Sequence, residues 1–158
     1  MKSFQFKKSG VLVFSVCFLV FASLGEAADI PDPEKWYVES YAPIWREVTT
    51  DTASEAGHFY HSQILVHNPD GEVITHDSAT WLADSVTEWI ADGWTGSQVP
   101  DIRVNRINES TTSFIARYLD HYEGGTEEYT CGWYLADLID GQWKFTHYAE
   151  TACVAHGF

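Results

Sequence analysis

From Pro100 onward the chain is a succession of segments rich in β-branched and aromatic residues, roughly Ile102 to Asn108, Ser113 to Tyr122, Glu128 to Leu138 and Trp143 to Ala149. Gly124-Gly125 and Asp140-Gly141 separate the last three. Tight hairpins need positive φ at their central positions, so these dipeptides predict an antiparallel meander of four strands. A meander of this length has two faces, and the chain must cover at least one of them.

The first half of the chain supplies the cover. Asp32 can cap a helix whose first turn tolerates Pro33, and Trp36, Tyr37, Tyr41, Ile44, Trp45 and Val48 recur on one helical stripe. Pro43 removes one backbone donor and predicts a kink or restart. Thr52-Ala53-Ser54-Glu55 has the form of a capping box opening a short second helix to about Tyr60. Ile64 to Val66 and Val73 to Thr75 flank Asn68-Pro69-Asp70-Gly71, which predicts a hairpin. A third helix capped by Ser78 runs through Trp81, Leu82, Val86, Trp89 and Ile90 to a stop at Gly93. Helices gathered on one face of an antiparallel sheet define the α+β class.

Lys2, Lys7 and Lys8 precede an apolar run from Val11 to Ala22, with small residues at Gly25 and Ala27. This is the pattern of a cleavable signal peptide spanning residues 1–27, because the run falls short of the ~20 apolar residues that span a bilayer. The sequence therefore predicts a secreted or periplasmic protein, free of the membrane after cleavage, with residues 28–158 forming one domain. The formal charge is −14, and loss of the leader's three lysines and one glutamate makes it more negative still. Such a surface excludes nucleic acid and anionic lipid as natural partners. Cys17 leaves with the leader, so Cys131 and Cys153 remain as a pair in an oxidising compartment. With a two-residue turn at Asp140-Gly141, however, Cys131 sits opposite Glu150 and Cys153 falls on the other face. A disulfide then requires a bulge or a curling tail, and the pairing stays open at this point.

Val66-His67-Asn68-Pro69-Asp70-Gly71 leading into the helix at Ser78, and Asp140-Gly141-Gln142-Trp143-Lys144-Phe145 closing with His147, resemble the nuclear transport factor 2-like (SnoaL-like) superfamily. The resemblance runs from about Asp32 to Ala149 and implies a cone made from a bent sheet and three helices. The superfamily includes isomerases, dehydratases, epoxide hydrolases, polyketide cyclases, ligand binders and silent assembly domains, so the fold alone decides no chemistry. Steroid isomerases of this kind carry a proton-moving aspartate before the hairpin proline. Here that position is Asn68, which cannot ionise, so such chemistry would need another carboxylate such as Asp70 or Asp120.

The same turn geometry pairs Leu138 with Trp143, Ala136 with Phe145 and Tyr134 with His147. Tyr134 and His147 then share the cavity face, either as a self-satisfied buried pair or as groups that orient a ligand or move a proton. The register of Ser113 to Tyr122 depends on the length of the Gly124-Gly125 turn, and a one-residue shift exchanges faces. One register brings Tyr118 and Asp120 to the cavity and the other brings Arg117 and His121; the more continuous apolar face favours the first. Tyr41, Trp45, Tyr60, Trp81 and Trp94 lie where helices cover the sheet, as core or as walls for an apolar or ring-containing molecule.

The opposite face of the meander is also apolar, through Ile115, Leu119, Trp133 and Leu135, which predicts a homodimer, with a simple aromatic surface or a covering tail as the alternatives. His58 and His61, three apart on the expected second helix, and His67 and His76 by the hairpin lack the carboxylates or thiolates that would complete a zinc shell. Asn108-Glu109-Ser110 matches a glycosylation acceptor. Neither a phosphate-cradling loop nor a nucleophile elbow is present in the sequence, so no cofactor is expected. The leading reading is a binder of a small hydrophobic molecule. The alternatives are an acid–base enzyme of the cyclase, dehydratase or isomerase type acting through His147, Tyr134 and Asp120, and an inactive dimerising module.

Overall fold

A computed structural model describes residues 30–158; the leader, with Cys17 and the expected cleavage point, lies outside them. The described chain forms one six-stranded mixed sheet, order β2-β1-β6-β5-β4-β3, with three short helical segments on its concave face. The strands are β1 (Tyr60–His67), β2 (Val73–Asp77), β3 (Trp94–Arg106), β4 (Thr111–Tyr122), β5 (Glu127–Ile139) and β6 (Gln142–Thr151). Neighbours run antiparallel except β1 and β6, which are parallel. This is the expected cone-shaped α+β architecture. Among the described residues, no helix is long and apolar enough to cross a membrane.

The first helix changes its winding twice. It starts as α1 (Pro33–Trp36), capped by Asp32, which accepts from the Lys35 N–H at 2.9 Å. It continues as a π turn (Tyr37–Tyr41) and then a 3-10 turn (Ala42–Trp45). Pro43 has no N–H to continue an α-helical ladder, and it lies in the closing 3-10 turn, just after the second change in winding. The result keeps Tyr37, Tyr41 and Trp45 all facing the sheet, with exposures of 0, 1 and 5%. Trp36 and Tyr41 pack on Phe145 with ring centroids 5.0 and 4.8 Å apart. Tyr37 packs on Phe114 at 5.2 Å. Each such aromatic pair contributes about 1 kcal/mol beyond its area burial, so this cluster ties the helical cover to the centre of the sheet.

Several local expectations are corrected. The second helix, α2 (Thr52–Gly57), ends sooner than expected, and Tyr60 begins β1 instead. Thr52 is the first helical residue, and its hydroxyl accepts from the Thr49 N–H rather than closing a capping box. Asp77, not Ser78, caps α3 (Ser78–Ala91), accepting from the Thr80 N–H at 3.0 Å. Strand β3 starts at Trp94 and runs through Pro100, where a boundary is expected from sequence. Proline is tolerated there because β3 is the sheet edge and its register shifts between Gln98 and Asp101.

The consequential correction lies in β6. Leu138↔Trp143 and Ala136↔Phe145 pair as expected, but the register then slips, so that Leu135 faces His147 and Tyr134 faces Tyr148. One residue, Thr146, is left over as a bulge, its hydroxyl donating to the Leu135 carbonyl at 3.3 Å and to Asp137 at 3.2 Å. Everything after Thr146 is turned to the opposite face from that expected. The slip brings Cys131 opposite Thr151, and a 3-10 turn (Cys153–His156) curls the tail back to form the Cys131–Cys153 disulfide, with Cα atoms 5.2 Å apart. The tail then crosses the convex face: the Arg103 guanidinium donates to the His156 and Gly157 carbonyls and stacks 4.5 Å from the Phe158 ring. Part of the apolar outer face is thus covered by the chain itself.

Closing a loop of 22 residues between Cys131 and Cys153 removes unfolded-state entropy worth about 3 kcal/mol. Cys131→Ser with Cys153→Ser is expected to lower unfolding stability by about that amount in urea titration, with reductant reproducing the loss in the unmutated chain.

Candidate functional site

Between the helical cover and the sheet lies a cavity of about 320 Å³. Its walls are aromatic. Tyr41 and Trp45 enter from the first helix, Tyr60 from β1, and Trp81 and Trp89 from α3. Trp94, Tyr118 and Tyr134 come from three adjacent strands. Gly132 leaves room for the last of these, since a Cβ there would stand 2.9 Å from the Tyr134 ring.

Seven of the eight side chains proposed from sequence for ligand contact line this space; His147 does not. The bulge at Thr146 puts His147 on the convex face, beside His67 at a ring separation of 5.5 Å and near Trp133. The expected Tyr134–His147 pair is therefore absent, and Tyr148 takes the cavity position, with its ring 5.2 Å from Tyr134 and 5.3 Å from Trp81. Sequence carries no signal for this exchange, because an alternating pattern looks the same on either side of one unpaired residue.

For β4 the favoured register is the one observed. The turn before β5 has three residues rather than two, Gly124 and Gly125 both taking positive φ, and Tyr118 and Asp120 face the cavity while Arg117 and His121 pair with acids on other sides. Tyrosine hydroxyls then form two short chains. Tyr37 meets Tyr118 at 2.5 Å and Tyr118 meets Tyr134 at 2.7 Å, while Tyr41 meets Tyr60 at 2.7 Å. Burial drives the pKa of all five upward, so they stay protonated and serve as hydrogen-bond donors and acceptors rather than as phenolates.

Among the acids that line this cavity, Asp120 is the buried one, 8% exposed. Ser97, opposite it on β3, donates to one carboxylate oxygen, and Thr130 on β5 donates to the other at 2.6 Å. The Trp94 indole N–H donates to Ser97 at 3.0 Å, which aims the serine hydroxyl at the acid. Sequence reasoning named Asp120 and missed its holders, Ser97 and Thr130. Both lie on neighbouring strands, and only the final register of β3 and β5 brings them alongside.

The expected histidine pair on the second helix does not form: His58 follows α2 and His61 belongs to β1. Among the described residues no cluster of three metal-ligating side chains occurs. Asn68 and Asp70 occupy the β1–β2 turn, where Asp70 accepts from the Glu72 N–H at 3.0 Å. Neither lines the cavity. Asn108 sits in the exposed β3–β4 turn, its side chain accepting from the Ser110 N–H at 2.8 Å.

No protein-family model and no curated protein matches this chain. Solved structures do match. One is an NTF2-like protein of unknown function from Prochlorococcus, 10% identical, with TM-score 0.55 over 77% of this chain and 94% of that one. A scytalone dehydratase-like protein from Novosphingobium aromaticivorans is 15% identical, with TM-score 0.53 over 75% and 81%. A polyketide cyclase-like protein from Xanthomonas campestris is 16% identical, with TM-score 0.51 over 78% and 89%. The chain has the NTF2-like fold. At these identities the likeness extends to architecture, and the NTF2-like cone of this chain must be read for chemistry from its own side chains.

The displaced imidazole has a measurable consequence. Burial, with a smaller contribution from His67, holds the His147 pKa below its ordinary 6.5, so the folded state binds fewer protons than the unfolded chain just below that value. Its contribution to stability is fully present above pH 6.5 and is lost as pH falls from there through the folded pKa. His147→Gln is expected to flatten the decline of the melting temperature over this window, and NMR titration of His147 should give an apparent pKa under 6.5.

Proposed function

We propose that this protein is exported and holds a small, mostly apolar or ring-containing molecule in the NTF2-like cavity. One observation carries the reading. A space of about 320 Å³ is walled by tryptophan and tyrosine rings and contains a buried carboxylate fixed by two hydroxyls, which is the usual composition of a small-molecule site. Export rests on the leader pattern, and the Cys131–Cys153 disulfide belongs to an oxidising compartment. A second copy would dock on the part of the convex face that the tail leaves open, around Ile115, Trp133 and Leu135, each of which is only half-buried.

The second reading is an acid–base enzyme that uses no cofactor, of the cyclase, dehydratase or isomerase type. Asp120 favours it, as a carboxylate set in an apolar wall and able to take a proton from a bound substrate, with neutral tyrosine hydroxyls on the same wall to donate hydrogen bonds. His147 has no part in it, since it lies on the other face.

Native mass spectrometry of the protein purified from its source tests the whole reading in one measurement. The expected result is a chain beginning at Ala28, present as two copies, with a retained small molecule. If the chain comes off empty and takes up no naphthalene-sized apolar probe, the cavity is structural and both binder and enzyme fail. Turnover of the retained molecule, with a pH profile abolished in Asp120→Asn, would move the assignment to the enzyme.

A further inference from the structure

Among the described residues, the charged groups lining the cavity are all of one sign. Four acids line it, Asp92 at the end of α3, Asp120 on β4, Glu128 on β5 and Glu150 on β6, and no lysine, arginine or histidine does. The register explains the grouping. Asp120 pairs across the ladder with Glu128 on one side and Ser97 on the other, and Glu150 pairs with Gly132 of β5, so one end of the concave face carries a band of carboxylates across adjacent strands. Asp120 is buried while Asp92, Glu128 and Glu150 are exposed, which makes a rim of three acids leading to a fourth inside.

Among the described residues, none of the four has an ion-pair partner. The ion pairs among the described residues join Lys35 to Glu39, Arg117 to Asp101 and His121 to Glu127, and all three lie away from the cavity. Both Asp120 oxygens accept, from Ser97 and Thr130, which is the pattern of a carboxylate. Two hydroxyl donors occupy about half of its roughly four acceptor sites. A carboxyl group 8% exposed, with acceptor capacity left over and no ion-pair partner among the described residues, is placed to receive a cationic group. The surrounding walls supply the other half of a cation site, because Trp45, Trp81, Trp89 and Trp94 line the same space and aromatic rings attract cations. A concave mouth of one sign with low-dielectric walls also concentrates ions of the opposite sign. The acids act on their neighbours as this field requires: after burial, Asp120, Glu128, Asp92 and Glu150 together push the Tyr122 pKa up, and Glu150 and Asp120 do the same to Tyr148.

We infer that the ligand of this cavity is an organic cation, a ring-containing or branched apolar molecule bearing a protonated amine, whose ammonium sits against Asp120 among the tryptophan faces while Glu128 and Glu150 draw it through the mouth. This rests on the ligand-binding reading above and narrows it. Carboxylate-, sulfate- and phosphate-bearing molecules are excluded by the same field.

The test uses three probes of matched size, 1-naphthylmethylammonium, 1-naphthalenemethanol and 1-naphthoate, titrated into the mature protein at pH 7 by calorimetry and tryptophan fluorescence. The cation should bind about tenfold or more tighter than the alcohol, with the anion weakest, and added salt should shrink the gap. Asp120→Asn should bring the cation-to-alcohol ratio towards one. Glu128→Gln with Glu150→Gln, both exposed and remote from the core, should lower it at least about threefold even if the buried variant folds poorly. Equal binding of cation and alcohol overturns this inference and leaves the cavity a binder of neutral molecules. A cation preference that survives both variants overturns its assignment to these carboxylates. If none of the three binds, the ligand-binding reading itself falls.

Discussion

The single unpaired residue at Thr146 decides more of this protein than any packed contact. Because side chains alternate across a strand, one extra residue turns every later position of β6 over. Tyr148 and Glu150 come inside, His147 goes out, and Cys131 is brought opposite Thr151 rather than Glu150. The cavity wall, the acidic band and the disulfide therefore share one cause. The bulge is held by side-chain bonds from Thr146 to the Leu135 carbonyl and to Asp137 on the convex side, and by the stacking of Tyr148 between Tyr134 and Trp81 on the concave side.

Around that strand the molecule keeps two kinds of interior. Nearer the start of the first helix, Trp36, Tyr37 and Tyr41 close down on Phe114 and Phe145, and ring meets ring without space between them. Towards the end of α3, Trp45, Trp81, Trp89 and Trp94 border a hollow that Asp120 and tyrosine side chains also line. The changes of winding that precede Pro43 keep Tyr37, Tyr41 and Trp45 all turned inward along this irregular helix.

Much of this was legible in the order of residues, and the failures are local. The strands of the meander, the hairpin at Asn68-Pro69-Asp70-Gly71 and the third helix could be placed because periodicity and turn chemistry are properties of neighbours in sequence. The face of β4 was readable because Phe114, Ala116, Tyr118 and Asp120 make the more continuous stripe. The cap of the third helix was misplaced by a residue because Asp77 and Ser78 are both good caps, and only backbone geometry chooses between them.

What the sequence by itself determined is the class of the fold, the aromatic character of the residues that cover the sheet and the acid at position 120, since each follows from composition and short-range spacing; the curvature of the sheet was implied by the family resemblance. Tertiary structure alone decided which histidine or tyrosine looks inward, how the tail returns to Cys131 and over the outer face, and that four acids and four tryptophans from separate elements surround one space. These depend on register between strands far apart in the chain, and register is settled by the packing of both faces at once, which no local pattern encodes.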